Sequence, residues 1–209
     1  MNLETPVKKM LVVGAGGIGA SLLENLIPAV IRVALPCSVT VMDADTVEPT
    51  NLGHQRYSLT DVGHHKVTQL AQRLNSEHVS VVGLPENLRQ SKQLKGYDLV
   101  VVCVDRPEPR RLVHSLDVPW IDLRCSGDGW VALTSQSSRG LVQEMTPDHE
   151  PKSCQVDGAL EAGNLEFGFA VAAAIGSQWA IQELRGRPSP TQTMGSITYG
   201  ALSFPEVKA

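Results

Sequence analysis

A Rossmann-like, doubly wound α/β fold is what this 209-residue sequence predicts: a mainly parallel sheet, antiparallel strands added late, and helices on both faces. Three observations carry that expectation. Short apolar runs rich in valine alternate with stretches whose apolar residues recur at helical spacing. A glycine turn, GAGGIG at 14–19, follows the first run and opens the first helical stretch. DLVVVCV, at 98–104, is apolar without interruption, as a central parallel strand covered on both faces requires.

In order along the chain, MLVV (10–13) reads as the first strand and ASLLENLIPAVIRVAL as a helix that Pro28 should kink or split. Pro36 ends it before VTVM, a second strand closing on Asp43. A helix from about Gly63 to Leu74 precedes VSVVG (79–83), and a polar connection then precedes the strand of 98–104. Next come a helix from about Glu108 to Leu116, a strand at WIDL, and the alternating strand GWVALTS at 129–135. Residues 136–164 read as a long polar connection of a kind that is functional or mobile. A helix of small residues from about Leu165 to Leu184 follows, and GSITYGALSF returns as a last strand.

The totals exclude several function classes. With 42% hydrophobic, 19% charged and 4% aromatic residues the chain should fold around one core of ordinary size. A formal charge of −4 provides no general attraction to nucleic acid or to an anionic membrane. Neither MLVVGAGGIGA nor FGFAVAAAIGS is long enough and unbroken enough to be a membrane segment. Four scattered cysteines, at 37, 103, 125 and 154, contain no C-x-x-C pair, which favours a reducing, cytoplasmic setting.

Gly14, Gly16 and Gly19 form G-x-G-x-x-G between strand and helix, with Gly17 inside the same turn, so an anion can meet backbone N–H groups at a helix N-terminus. Asp43, at the end of the second strand, stands where a carboxylate accepts from ribose hydroxyls. A nicotinamide-dependent oxidoreductase needs no more than these, and it remains the alternative on these residues. It has no use, however, for Asp45, Asn51, Gln55 and Lys66 crowded behind Asp43.

Four ordered pieces decide the preferred reading: Asp43-Ala44-Asp45-Thr46-Val47, Asn51-Leu52-Gly53-His54-Gln55, Asp61-Val62-Gly63-His64-His65-Lys66 and Cys103-Val104-Asp105. Together they resemble the adenylating domain of the ubiquitin-activating-enzyme family in its small ThiF/MoeB/HesA-like form, over nearly the whole chain, as one domain spanning 1–209. The resemblance implies an adenylyltransferase that uses ATP and magnesium to activate the C-terminal carboxylate of a small β-grasp ubiquitin-like or sulfur-carrier protein ending in Gly-Gly, or of a peptide, with release of pyrophosphate. It implies Asp43 on the ribose, Asn51, Gln55 and Lys66 on the phosphates, Asp105 on magnesium, and a homodimer. The region of Cys154 is similar to that in which sulfur-carrier-activating members keep a reactive thiol, which Lys152 and a helix N-terminus would assist. An ordinary loop cysteine is the equal alternative there.

The sequence departs from the family pattern at two places. His54 stands where the family has arginine, and Arg56 follows two positions later. Histidine lacks the permanent charge and planar fork of arginine, so either Arg56 reaches in, His54 is protonated beside the nucleotide, or the domain binds nucleotide with weakened catalysis. The family's zinc-binding cysteine pairs are absent, and no structural zinc is expected. Cys103 and Cys125 are expected to be packing residues, and His64 and His65 solvated.

Overall fold

Alternation along the first strand sets up two cores. In the computed structural model, which describes residues 6–148, 154–156, 158–160 and 162–205, strand β1 (Lys8–Val13) sends Met10 and Val12 to one face of the sheet and Leu11 and Val13 to the other. The first pair packs with residues of helices α1 (Gly17–Arg32), α2 (Lys66–Leu74) and α5 (Gly168–Leu184). The second packs with residues of α3 (Pro107–His114) and α4 (Arg139–Glu144). Helices thus cover both faces, as a doubly wound sheet demands.

The remaining strands are β2 (Cys37–Met42), β3 (Ser80–Leu84), β4 (Leu99–Val102), β5 (Trp120–Ser126), β6 (Gly129–Thr134), β7 (Gln192–Ser196) and β8 (Gly200–Ala201). They lie in the order β3-β2-β1-β4-β5-β6-β7-β8. Pairing is parallel from β3 through β5 and antiparallel from β5 through β8, so the antiparallel strands do arrive late in the chain. Strand order reverses between β1 and β4, and a crevice opens outside the carboxyl ends of the strands at such a switch point.

Three elements differ from the sequence expectation, and one connection gains a turn. Pro28 does not split α1, which runs unbroken from Gly17 to Arg32 with the proline on its exposed side. The polar connection between β3 and β4 holds a 3-10 turn, Ser91–Leu94, with Leu94 buried. Within the long connection Ser138 accepts from Leu141 N at 3.3 Å and caps α4, whose six residues are too few to show a period. The last apolar stretch is a hairpin of β7 and β8 rather than a single strand.

Small residues in α5 allow it to lie close to α1 and β5. A Cβ on Gly176 would come within 2.4 Å of Leu123 Cδ1 and 2.7 Å of Leu22 Cδ1. Ser177 donates both to Ala173 O within its own helix and to Leu22 O of α1, at 2.8 and 3.2 Å. Among the described residues no helix is long and apolar enough to cross a membrane.

Candidate active site

The switch point carries a cleft of about 940 Å³ whose walls come from the glycine turn, the 43–55 segment, the start of α2, the β4–α3 connection and the end of β5. Each wall has a local cause. Gly14 takes φ +106°, and a Cβ there would lie 2.9 Å from Cys103 O, so the turn can pass under β4 only as glycine. Gly19 lets α1 start against the turn, since a Cβ would lie 2.0 Å from Gly14 O. Beside Gly16 there is only open space, which leaves its backbone free to meet a ligand.

Asp43 ties the turn to the segment that follows β2. Its Oδ2 accepts from Ala15 N at 2.7 Å and its Oδ1 from Asp45 N at 2.8 Å. Tyr57 adds a second tie by donating to Ala15 O at 2.6 Å. Burial raises the Asp43 pKa above the ordinary value, opposed by these two N–H donors. At the first position of α2, Lys66 is only 5% exposed and reaches Asp45 Oδ2 at 3.3 Å. Its partner carboxylate is mostly in solvent, so the ammonium can exchange Asp45 for a stronger anion at little cost.

Asn51 Oδ1 accepts from Glu48 N at 3.0 Å, which aligns the amide. His54 is buried, its Nε2 3.4 Å from Gln55 Nε2. Burial, and then the charge of Lys66, push the His54 pKa below its ordinary value, so the ring is neutral at pH 7. His54 Nδ1 and Gln55 Oε1 are both buried without a hydrogen-bond partner. Each of these two residues lines the cleft, and an unpaired buried polar atom on each leaves its side chain under-satisfied in the unliganded protein.

Of the residues singled out from sequence, the cleft is lined by Gly14, Gly16, Gly17, Asp43, Asp45, Asn51, His54, Gln55, Lys66, Asp105 and Cys154. Gly19 underlies the turn without lining the cleft. Arg56 does not reach in. Its guanidinium is exposed and pairs with Glu24 of α1 at 3.6 Å, while Arg73 holds both Glu24 and the Arg56 carbonyl, fixing that stretch outward. Cys103 and Cys125 do pack against the core, but they are only half-buried and also line the cleft. His64 and His65 are exposed, just ahead of α2. Lys152 lies outside the described residues.

Sequence reasoning missed a charged cluster at the far wall. Asp122 of β5 is fully buried and meets Arg110 of α3, Arg124 of its own strand at 2.5 Å, and His114 Nε2 at 2.9 Å. Arg110 also donates to Val104 O, and Arg124 to Met145 O and, at 2.7 Å, to Thr146 Oγ1. Both arginines face the cleft. Burial and the neighbouring Arg124 lower Arg110 to about 9, and burial lowers Arg124 to about 10. Two cations on one carboxylate leave the wall positive at pH 7.

Burial, followed by repulsion from Arg124, Arg110 and Arg111, pushes His114 down to about 4, because the Asp122 carboxylate 2.9 Å away is already shared by two guanidinium groups. Unfolded histidine binds its proton near pH 6.5, so between about pH 6.5 and 4 the unfolded chain holds more protons and stability falls as pH falls. Urea midpoints measured across that window should drop with acid, and His114→Gln should flatten the drop; an equal slope in the variant contradicts the assignment.

Among the described residues, no group of three His, Cys, Asp or Glu side chains gathers to hold a metal ion. Asp105, exposed at the mouth of the cleft, is a single carboxylate of the kind that suffices when a phosphate brings magnesium with it.

Comparison with known proteins agrees with this architecture. The adenylyltransferase and sulfurtransferase UBA4 of Vanderwaltozyma polyspora is 35% identical over 175 residues, covering 76% of this chain and 39% of the relative. The ATP-dependent ubiquitin transferase-like protein Cap2 of Enterobacter hormaechei is 31% identical over 103 residues, covering 46% of this chain and 16% of the relative. The chain therefore spans well under half the length of either relative. A crystal structure of E. coli MccB with ATP superposes with a TM-score of 0.67 at 17% identity, over 94% of this chain and 64% of that one, and shares its fold. The model of the ThiF family matches residues 6–209, and the chain belongs to that family.

Proposed function

We propose that the cleft binds ATP and adenylates the C-terminal carboxylate of a small ubiquitin-like or sulfur-carrier protein, or of a peptide. The observation that carries this reading is the convergence of Asn51, Gln55, buried Lys66 and Asp105 on the open space beside Gly16, opposite a positively charged wall. A dehydrogenase leaves those four side chains idle. The names of the relatives, which include adenylyltransferases and a ubiquitin transferase-like protein, support the reaction class.

In this reading the glycine turn presents backbone N–H groups to phosphate, and Lys66 and the Asn51 amide add donors across the gap. Asp43, already oriented by Ala15 and Asp45, accepts from the ribose. His54 donates as a neutral imidazole in the place where the family has arginine, with its proton on whichever ring nitrogen meets phosphate. Asp105 would hold magnesium, which when bound neutralises phosphate charge as the acyl carboxylate displaces pyrophosphate. Cys154, which lines the same cleft, would receive the activated acyl group in this reading. A β-grasp protein ending in Gly-Gly is the carrier this reading expects, on the family resemblance of the four sequence motifs.

The test is ligand stabilisation followed by turnover. Magnesium-ATP at a hundredfold excess over Kd should raise the melting temperature by roughly 5–10 °C. Exchange of pyrophosphate into ATP, with a candidate carrier present, should collapse in Asp105→Ala. Stabilisation by NAD and not by ATP would overturn the reading in favour of an oxidoreductase. Stabilisation by ATP with no exchange would leave a nucleotide-binding module of the same fold.

A further inference from the structure

On the 43–66 side of the cleft His54 has no permanent charge, which leaves Lys66 as the buried cation there. The far wall is differently made. Among the described residues six Lys and Arg side chains and four carboxylates line the cleft. Arg89, Arg106 and Arg111 are exposed, so water and salt screen them. Arg110 and Arg124 have side chains only 7% and 17% exposed, and without these two the lining would hold as many acids as cations.

Both guanidinium groups are held still. Arg124 donates through Nε and Nη2 to Asp122 Oδ2 at 3.1 and 2.5 Å, through Nη2 to Thr146 Oγ1 at 2.7 Å, and through Nη1 to Met145 O. Those four bonds leave one of its five N–H groups uncommitted among the described residues. Arg110 pairs with Asp122 and donates to Leu123 O at 3.4 Å and to Val104 O. The ends of β4 and α4 and the middle of β5 thus fix both cations, and offering them to an anion needs no further ordering. Asp122 cancels one of the two, and His114 is kept neutral by burial and by the arginines around it. One net positive charge remains on the wall.

We propose that Arg110 and Arg124 supply, from the far wall, the permanent positive charge that His54 lacks, and that the anion they attract is the polyphosphate of the nucleotide. This rests on the adenylation reading and names the residues that carry its electrostatics. Charge acts across a cleft without contact, so a cation on one wall can stand in for a cation lost from the other. Sharing a carboxylate makes the device sensitive: removing either arginine leaves Asp122 to cancel the one that stays, and the wall becomes neutral.

The experiment is calorimetric titration of the full chain with magnesium-ATP, with AMP and with NAD, beside the urea midpoint of each unliganded variant. Arg124→Met should weaken ATP binding about tenfold, the order expected of one unit charge acting over about 12 Å, and AMP, which carries less charge, should lose less. Arg124→Lys keeps the charge without the fork and should stay within about threefold of the wild type. Arg110→Met should repeat the loss seen in Arg124→Met, which guards against poor folding of either variant. Adding His54→Arg to Arg124→Met should restore ATP affinity, although it cannot repair the wall. Equal losses in the Met and Lys variants, equal losses for ATP and AMP, or no gain from His54→Arg would overturn the proposal and leave the adenylation reading standing. A wild type that binds NAD and not ATP overturns both.

Discussion

Asp122→Ala should lower the free energy of unfolding by about 3–5 kcal/mol, because it strands Arg110 and Arg124 in a buried site without their carboxylate. The loss should show as a lower urea midpoint with little change in slope. The cost belongs to the stranded charges and not to lost packing, which a double variant can test. Arg110→Met alone should also destabilise, yet adding it to Asp122→Ala should cost less than the sum of the two, the deficit measuring their coupling. Additive losses, or a loss under about 1 kcal/mol for Asp122→Ala, would mean that the cluster is well hydrated and that its charge does not reach the cleft with the proposed strength.

Lys66→Ala should reduce pyrophosphate exchange by about 10²–10³-fold, the range expected when one oriented donor to a developing charge is removed. Thermal stabilisation by magnesium-ATP should shrink with it, while the unliganded melting point moves little, since the Asp45 partner of Lys66 is mostly in solvent. A second readout separates charge from shape. Lys66 helps to keep His54 unprotonated, so its removal should raise the His54 pKa in a histidine NMR titration. Lys66→Arg keeps the charge and should hold that pKa near its wild-type value. Exchange that survives in Lys66→Ala would move the phosphate site elsewhere in the cleft.

What the sequence disclosed depended on how local each signal was. The strand, glycine turn and helix at 10–32 announce themselves within two dozen residues, and so does the crowd of side chains from Asp43 to Lys66. Asp122 was hidden as one acid in the apolar strand WIDL, and Arg110 as part of a charged pair on a short helix. Only the packing of α3 against β4 and β5 brings them together. Cys125 and Cys154 likewise reach the same cleft across a connection with no periodicity, so neither thiol betrays the other. Arg56 misled for the opposite reason: it lies near the family's arginine in sequence, but Glu24 on α1 and Arg73 on α2 fix that stretch outward.

Asp43 accepts from Ala15 at 2.7 Å and from Asp45 at 2.8 Å, and Tyr57 donates back to Ala15 O. Those three bonds tie the glycine turn to both ends of the 43–57 segment before any ligand arrives. The conformational entropy of aligning phosphate donors with the ribose acceptor is therefore lost once, when the chain folds, and not again each time a nucleotide arrives.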